Sequence, residues 1–175
     1  GLVSNGNNST EVIAQFEPKT GVIISVADTS ARRPAHFSTT DGESIYFIDY
    51  DNNLVRHNLS TQTTKVFANF ATGAFAGIEC TPSGKLIALY QTTFGGSVPL
   101  EVVEIVIGSN DAVSLSSLVT IPGSWPYAKA RCTLSKSKNK LYCLQEKLVE
   151  IDLSTLEIKE MNSPAYSFYG IEAID

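Results

Sequence analysis

Two glutamates occupy the same point of a repeated phrase, and paired carboxylates can do chemistry. "FAGIE" (75–79) ends at Glu79, and "FYGIE" (168–172) ends at Glu172. Two carboxylates that face each other could bind Ca²⁺, or could act as a general acid and a general base. Arg131 stands at the corresponding point of a third copy. The alternative is therefore an ion-pair cluster of Glu79, Arg131 and Glu172.

The elements that would position these residues follow from the repeat. "LST" recurs at 59–61 and 153–155. This interval corresponds to two periods of about 47 residues each. Each unit contains four short strands, a to d, separated by turns such as Asp41-Gly42 and Asp51-Asn52-Asn53, whose residues tolerate positive φ. Four antiparallel strands per period of about 40–50 residues is typical of a β-propeller blade. The predicted blades are 34–70 (blade 1), 75–121 (blade 2), 127–161 (blade 3), and 1–28 with 165–175 (blade 4).

The two ends of the chain complete one blade in this scheme. Residues 1–28 contain strands b, c and d without an a, and residues 165–175 contain an a alone. We therefore predict a single all-β domain, a four-bladed β-propeller in which the C-terminal strand a joins the N-terminal strands b, c and d and removes open sheet edges. The alternatives are a β-sandwich, or an eight-bladed ring that two chains form by exchanging strands as a homodimer.

The phrases "GIECTPSGKLIAL" and "LVEIDLST" resemble the loose repeats of NHL, YVTN and lactonase-type propellers. The resemblance covers nearly the whole chain, but its motifs are generic and assign no specific family. Those propellers usually have six or more blades. The resemblance implies a propeller fold and, for the lactonase type, a metal-dependent hydrolase that would use Glu79 and Glu172, with Ca²⁺ in the central channel.

The cysteines and glycosylation motifs bear on the compartment. With the hairpin of blade 3 centred between Ser137 and Lys138, Cys132 and Cys143 lie directly opposite each other, as a disulfide or as two neighbouring thiols. Cys80 has no such partner and is predicted to be a buried free thiol. Acidity, low lysine content and the disulfide alternative favour an extracellular or cell-surface protein. Three Asn-x-Ser/Thr motifs are glycosylation candidates there, at Asn7, Asn8 and Asn58.

The connections between blades carry side chains that suit recognition. Propellers bind ligands at one face through their d–a and b–c loops. Trp, Tyr and Arg are the residues that most often anchor interfaces, although aromatic residues here could instead seal gaps between blades. The candidate ligand-binding residues are Arg32, Arg33, Phe94, Trp125 and Tyr166.

These features favour a non-catalytic binding or adhesion module that recognises a protein or a glycan through its loop face. The alternatives are the hydrolase described above and a structural subunit or fragment of a larger propeller. A net charge of −5 argues against a nucleic-acid partner. The longest apolar runs are too short to span a membrane as a helix, so no membrane insertion is expected.

Overall fold

The computed structural model describes residues 2–4, 11–17, 19–20, 22–27, 34–70, 73–93, 98–123, 131–135, 137, 139–144 and 147–161. Within these residues every regular element is a β-strand, as the sequence predicts. The strands form three four-stranded antiparallel sheets and one three-stranded antiparallel sheet. The chain divides into two compact units, residues 1–69 and 70–175, which are described separately. The described part contains no helix with the length and apolarity needed to cross a membrane.

The first unit contains two sheets whose strands follow one another in chain order. Strands β1 to β3 pair as β1-β2-β3, which matches the predicted b, c and d strands of blade 4. Strands β4 to β7 pair as β4-β5-β6-β7 and match blade 1. The bounds are β1 Leu2–Ser4, β2 Glu11–Phe16, β3 Ile23–Ala27, β4 Pro34–Thr40, β5 Ser44–Asp49, β6 Asn53–Asn58 and β7 Thr64–Asn69.

The second unit contains two four-stranded sheets of the same kind as the β4–β7 sheet. Strands β8 to β11 form one sheet and β12 to β15 the other, each again in chain order. The bounds are β8 Ala74–Cys80, β9 Leu86–Gln91, β10 Leu100–Ile107, β11 Val113–Ile121, β12 Arg131–Ser135, β13 Lys140–Leu144, β14 Leu148–Asp152 and β15 Ile158–Met161.

The two sheets of the second unit share one hydrophobic core. Their first strands, β8 and β12, lie close together, since a Cβ atom added to Gly77 would lie 3.7 Å from the Cβ of Cys132. The small side chain of Ala76 is fully buried beside it. The buried residues of the shared core are Ala76, Ile87, Leu89, Leu100, Val102, Ile121, Leu141, Cys143, Val149 and Ile151.

The predicted turns and cysteine register are confirmed. Gly42 and Asn52 have φ angles of 97° and 62°, as their turns require. Cys132 pairs directly with Cys143 across β12 and β13. The structure has no disulfide between Cys132 and Cys143, and the choice between a disulfide and two neighbouring thiols stays a prediction. Residues 165–175, on which closure of blade 4 and strand exchange depend, lie outside the described residues, and both stay predictions.

The repeated "LST" marks two turns with the same hydrogen bonds. Asn58 Oδ1 accepts hydrogen bonds from the backbone amides of Ser60 and Thr61 (3.1 and 2.9 Å). Asp152 Oδ1 accepts the equivalent bonds from Ser154 and Thr155 (2.8 and 3.1 Å). Each turn then passes through one residue of positive φ, at Gln62 (55°) and at Leu156 (61°). The repeat is therefore conserved within the chain at the level of single hydrogen bonds.

These twin turns predict a difference in acid sensitivity. The amides of Ser154 and Thr155 lower the pKa of Asp152. A carboxyl group whose pKa is lower in the folded state stabilises the fold above its unfolded pKa, and that contribution is lost as the pH falls through the folded pKa. Asp152→Asn should therefore lose less stability than the wild type between about pH 5 and pH 2, because asparagine keeps the turn without titrating.

Urea denaturation at a series of pH values measures this effect. Asn58→Asp is the matched control, and it should increase acid sensitivity for the same reason. Equal pH dependence in the wild type and Asp152→Asn would contradict the prediction.

Candidate binding surface

Most of the side chains predicted to bind a ligand lie outside the described residues, as do two of the glycosylation candidates. Their roles remain predictions. They are Arg32, Arg33, Phe94, Trp125, Tyr166, Glu172, Asn7 and Asn8.

Glu79 is the described member of the predicted carboxylate pair. It lies on β8, is half-buried, and pairs in register with Ile87 of β9. No cluster of three or more His, Cys, Asp or Glu residues within the described part could hold a metal ion. The structure thus describes one carboxylate of the pair, and the Ca²⁺ site and the hydrolase stay predictions.

Asn58 is the described glycosylation candidate. Its side chain is half-buried at the end of β6, and its Oδ1 atom holds the turn through the hydrogen bonds given above. The preceding residue, His57, is buried, and its Nδ1 atom lies 2.9 Å from the hydroxyl of Thr64. Attachment of a glycan at Asn58 remains a prediction.

The β5–β6 turn, residues 49–53, is held by a buried carboxylate. Asp49 is 2% exposed, and its Oδ1 atom accepts hydrogen bonds from the backbone amide and the Nδ2 atom of Asn53 (2.8 and 2.9 Å). Its Oδ2 atom accepts a second bond from the same Nδ2 atom (2.9 Å). Charged hydrogen bonds of this kind are stronger than neutral ones, and burial makes them costly to lose. The turn therefore has one strongly preferred conformation.

A second side chain ties this turn to the last strand of the sheet. Asn69, at the end of β7, donates hydrogen bonds from Nδ2 to the backbone carbonyl of Asp51 (2.8 Å) and to Oδ1 of Asn53 (3.3 Å). Asn52 closes the turn from within. It has a positive φ, and its backbone amide donates a hydrogen bond to the backbone carbonyl of Asp49 (2.9 Å). Three strands, β5, β6 and β7, thus fix the same five residues.

This rigid turn presents an aromatic ring to solvent. Tyr50 is 55% exposed, the most exposed aromatic residue of the described part, and Asp51 beside it is also exposed. The turn was predicted from the sequence, but Tyr50 was not among the predicted binding residues. Its signal was a tyrosine between two aspartates in "DYDNN" (49–53). We name the exposed surface of Tyr50, Asp51 and Asn52, held by Asp49, Asn53 and Asn69, the Tyr50 turn.

The Tyr50 turn lies where a predicted ligand-binding connection enters the sheet. It is a b–c connection, one of the two kinds that form the binding face of a propeller. Pro34, the first residue of β4, pairs with Asp49 at the base of the turn. Arg32 and Arg33 immediately precede Pro34 in the chain. Two of the predicted binding residues are therefore sequence neighbours of the residue that pairs with the base of this turn.

Comparison with solved structures shows a propeller-like fold. TolB from Acinetobacter baumannii, a β-propeller, matches 90% of this chain with a TM-score of 0.59 and 21% sequence identity. The extracellular domain of the one-component system BT4673 from B. thetaiotaomicron matches 71% of this chain with a TM-score of 0.47 and 12% identity. The chain spans 39% of the TolB chain and 16% of the BT4673 chain. No protein-family model and no curated protein sequence matches it.

Proposed function

We propose that this chain is a non-catalytic protein-binding module and that the Tyr50 turn is part of its binding surface. The observation that carries the proposal is an exposed aromatic side chain on a turn fixed by a buried carboxylate and two asparagines. The predicted extracellular or cell-surface location belongs to the same proposal.

Pre-organisation is the physical reason to favour binding at this turn. A loop that becomes ordered on binding loses conformational entropy, and that loss subtracts from affinity. The Tyr50 turn is already ordered by its hydrogen bonds, so a partner would bind it without that cost. Tyrosine adds a large, rigid contact surface with a hydroxyl group at its tip, which is why it is enriched at energetic centres of interfaces.

The likeness to TolB supports the fold on which this proposal rests. In propellers the b–c and d–a connections lie on the face that binds ligands, and the Tyr50 turn is a b–c connection. Recognition of a glycan through Trp125 or Tyr166 stays a prediction, as does the hydrolase that would use Glu79 and Glu172.

The test compares single substitutions in a capture experiment. The wild-type chain, immobilised and exposed to an envelope extract of its source cells, should retain a specific protein that can then be purified. Tyr50→Ala should weaken binding of that purified partner at least tenfold, about 1.4 kcal/mol. Val106→Ala is the matched control, because Val106 is exposed (41%) but lies in the second unit. It should bind like the wild type.

Two results would contradict the proposal. One is a partner that binds Tyr50→Ala with unchanged affinity while Val106→Ala also binds normally. The other is the absence of any saturable protein partner.

A further inference from the structure

Each four-stranded sheet has a cross-strand row at the same register, and the three rows differ in charge. The rows are aligned by the residue after the a–b turn, which is Ser44, Lys85 or Lys140, and by strand pairing. They are Tyr46–Arg56–Lys65, Ile87–Glu104–Ser116 and Tyr142–Glu150–Lys159.

In the second unit the glutamate of each row forms an ion pair with a lysine that begins or immediately precedes the adjacent strand, β9 or β13. Lys85 Nζ lies 3.0 Å from Glu104 Oε2, and Lys140 Nζ lies 2.6 Å from Glu150 Oε1. The hydrogen bond from Lys140 lowers the pKa of Glu150. In two of the three rows the glutamate therefore forms an ion pair with a lysine just outside the row.

The row of the β4–β7 sheet reverses this pattern. Ser44, buried at 4% exposure, replaces the lysine, and Arg56 replaces the glutamate. Arg56 lies directly opposite a second cation, Lys65. Like charges directly opposite each other in a sheet destabilise it. Across the residues that the structure describes, no carboxylate lies within ion-pair distance of Arg56.

An aromatic ring lies beside both cations. The Cζ atom of Arg56 and the Nζ atom of Lys65 are each 5.2 Å from the centre of the Phe67 ring. The ring is placed there by a β-bulge, because Val55 pairs with Val66 and Leu54 with Ala68, which leaves Phe67 without a cross-strand partner. Phe67 is half-buried, so part of its surface remains open to solvent.

Tyr46 connects Arg56, Lys65 and Phe67 to Asp41, a carboxylate that already accepts hydrogen bonds from the β4–β5 turn. The hydroxyl of Tyr46, which pairs in register with Arg56, donates a hydrogen bond to Asp41 Oδ2 (3.1 Å). Burial raises the pKa of Asp41, but hydrogen bonds from the amides of Ser44 and Glu43 and from Tyr46 outweigh it and hold the pKa below its ordinary value. The Asp41 carboxylate thus serves the β4–β5 turn.

We propose that Tyr46, Arg56, Lys65 and Phe67 form a binding site for a carboxylate side chain of an acidic peptide segment. The planar guanidinium offers paired donors that match a carboxylate. Lys65 adds charge, and the exposed surface of Phe67 packs against the apolar part of the bound residue. The site holds two cations with Asp41 nearby, and the chain carries a net charge of −5. This combination suits a single carboxylate better than a polyanion. The site does not depend on the Tyr50 turn.

A pair of blocked synthetic peptides tests this site. One alternates Glu and Val over seven residues, and the other has Gln in place of each Glu. In NMR titrations of the ¹⁵N-labelled chain, the Glu peptide should shift the amide signals of β6 and β7 around Arg56 and Lys65. The Gln peptide should bind at least tenfold more weakly. Raising NaCl from 50 to 500 mM should weaken the Glu peptide's binding, because exposed charges are screened by salt.

Matched variants connect the binding to these residues. Arg56→Glu restores the residue type of the other two rows and should weaken binding of the Glu peptide at least tenfold. Arg56→Gln removes the positive charge without adding a negative charge that would repel the Glu peptide. It should also weaken binding, so the test does not depend on one variant. Lys159→Glu changes the residue that corresponds to Lys65 in the β12–β15 sheet and should leave binding within twofold.

Three outcomes would overturn the proposal. They are equal binding of the Glu and Gln peptides, unchanged binding by folded Arg56→Gln, and shifts that fall on other strands. Inorganic phosphate is the competitor that distinguishes the source of the anion. It should displace the peptide only at millimolar concentrations, and displacement at micromolar phosphate would assign the site to phosphate instead.

Discussion

Replacing Asn53 with alanine is expected to lower the free energy of unfolding by about 3 kcal/mol, because the buried Asp49 carboxylate would lose two hydrogen bonds to the Asn53 side chain. Asp49 is 2% exposed, so water cannot easily replace those donors. Asn69 would also lose its bond to Asn53 Oδ1. Urea denaturation at pH 7 measures the effect.

The matched control for this substitution is Asn110→Ala. Asn110 Oδ1 accepts a single exposed bond from the amide of Ala112 (3.2 Å), so its loss should cost less than about 1 kcal/mol. A double-mutant cycle with Asp49→Ala should show strong coupling, since three hydrogen bonds join the two residues. An Asn53→Ala chain as stable as Asn110→Ala would contradict the rigid-turn account of residues 49–53.

Replacing Ile151 with histidine is expected to destabilise the chain by about 3 kcal/mol, because a buried polar ring without partners loses its hydration. The chain contains the comparison. His57 pairs with Ile45 as Ile151 pairs with Leu141, so the two positions are equivalent in the repeat. His57 is 1% exposed, and although its Nδ1 atom lies near Thr64, its buried Nε2 atom has no hydrogen-bond partner among the described residues.

The reverse substitution, His57→Ile, should therefore be neutral or stabilising. It removes the buried Nε2 atom and introduces the residue that fills the equivalent position in the β12–β15 sheet. The exposed Thr64 can replace its lost partner with water. Thermal unfolding of the two variants measures the contrast. If His57→Ile lowers stability as much as Ile151→His does, the prediction is wrong. Isoleucine and histidine would then each be required at their own position, although the two positions are equivalent in strand pairing.

Much of the fold could be predicted because it depends on local signals. Turn residues such as Gly42 and Asn52 require positive φ, and the structure confirms it at both. The opposition of Cys132 and Cys143 followed from the centre of one hairpin. Each of these inferences uses neighbours within one or two strands.

The two candidate sites could not be predicted in the same way. The exposure of Tyr50 depends on Asn69, which is distant from it in sequence and reaches the turn through the pairing of β6 with β7. The position of Phe67 beside Arg56 depends on a bulge, which adds one residue to β7 and leaves no mark in the alternation of the sequence. The sequence shows the residue types of both sites, but it does not show the pairing of β6 with β7 that brings them together.

The most direct test of the proposed binding function is a photo-cross-linking measurement at the Tyr50 turn. The photoreactive amino acid p-benzoylphenylalanine would replace Tyr50 in one variant and the exposed Met161 of the second unit in another. With the purified partner present, the account predicts a covalent adduct from position 50 and none from position 161. Adducts of equal yield from both positions, or none from position 50, would contradict it.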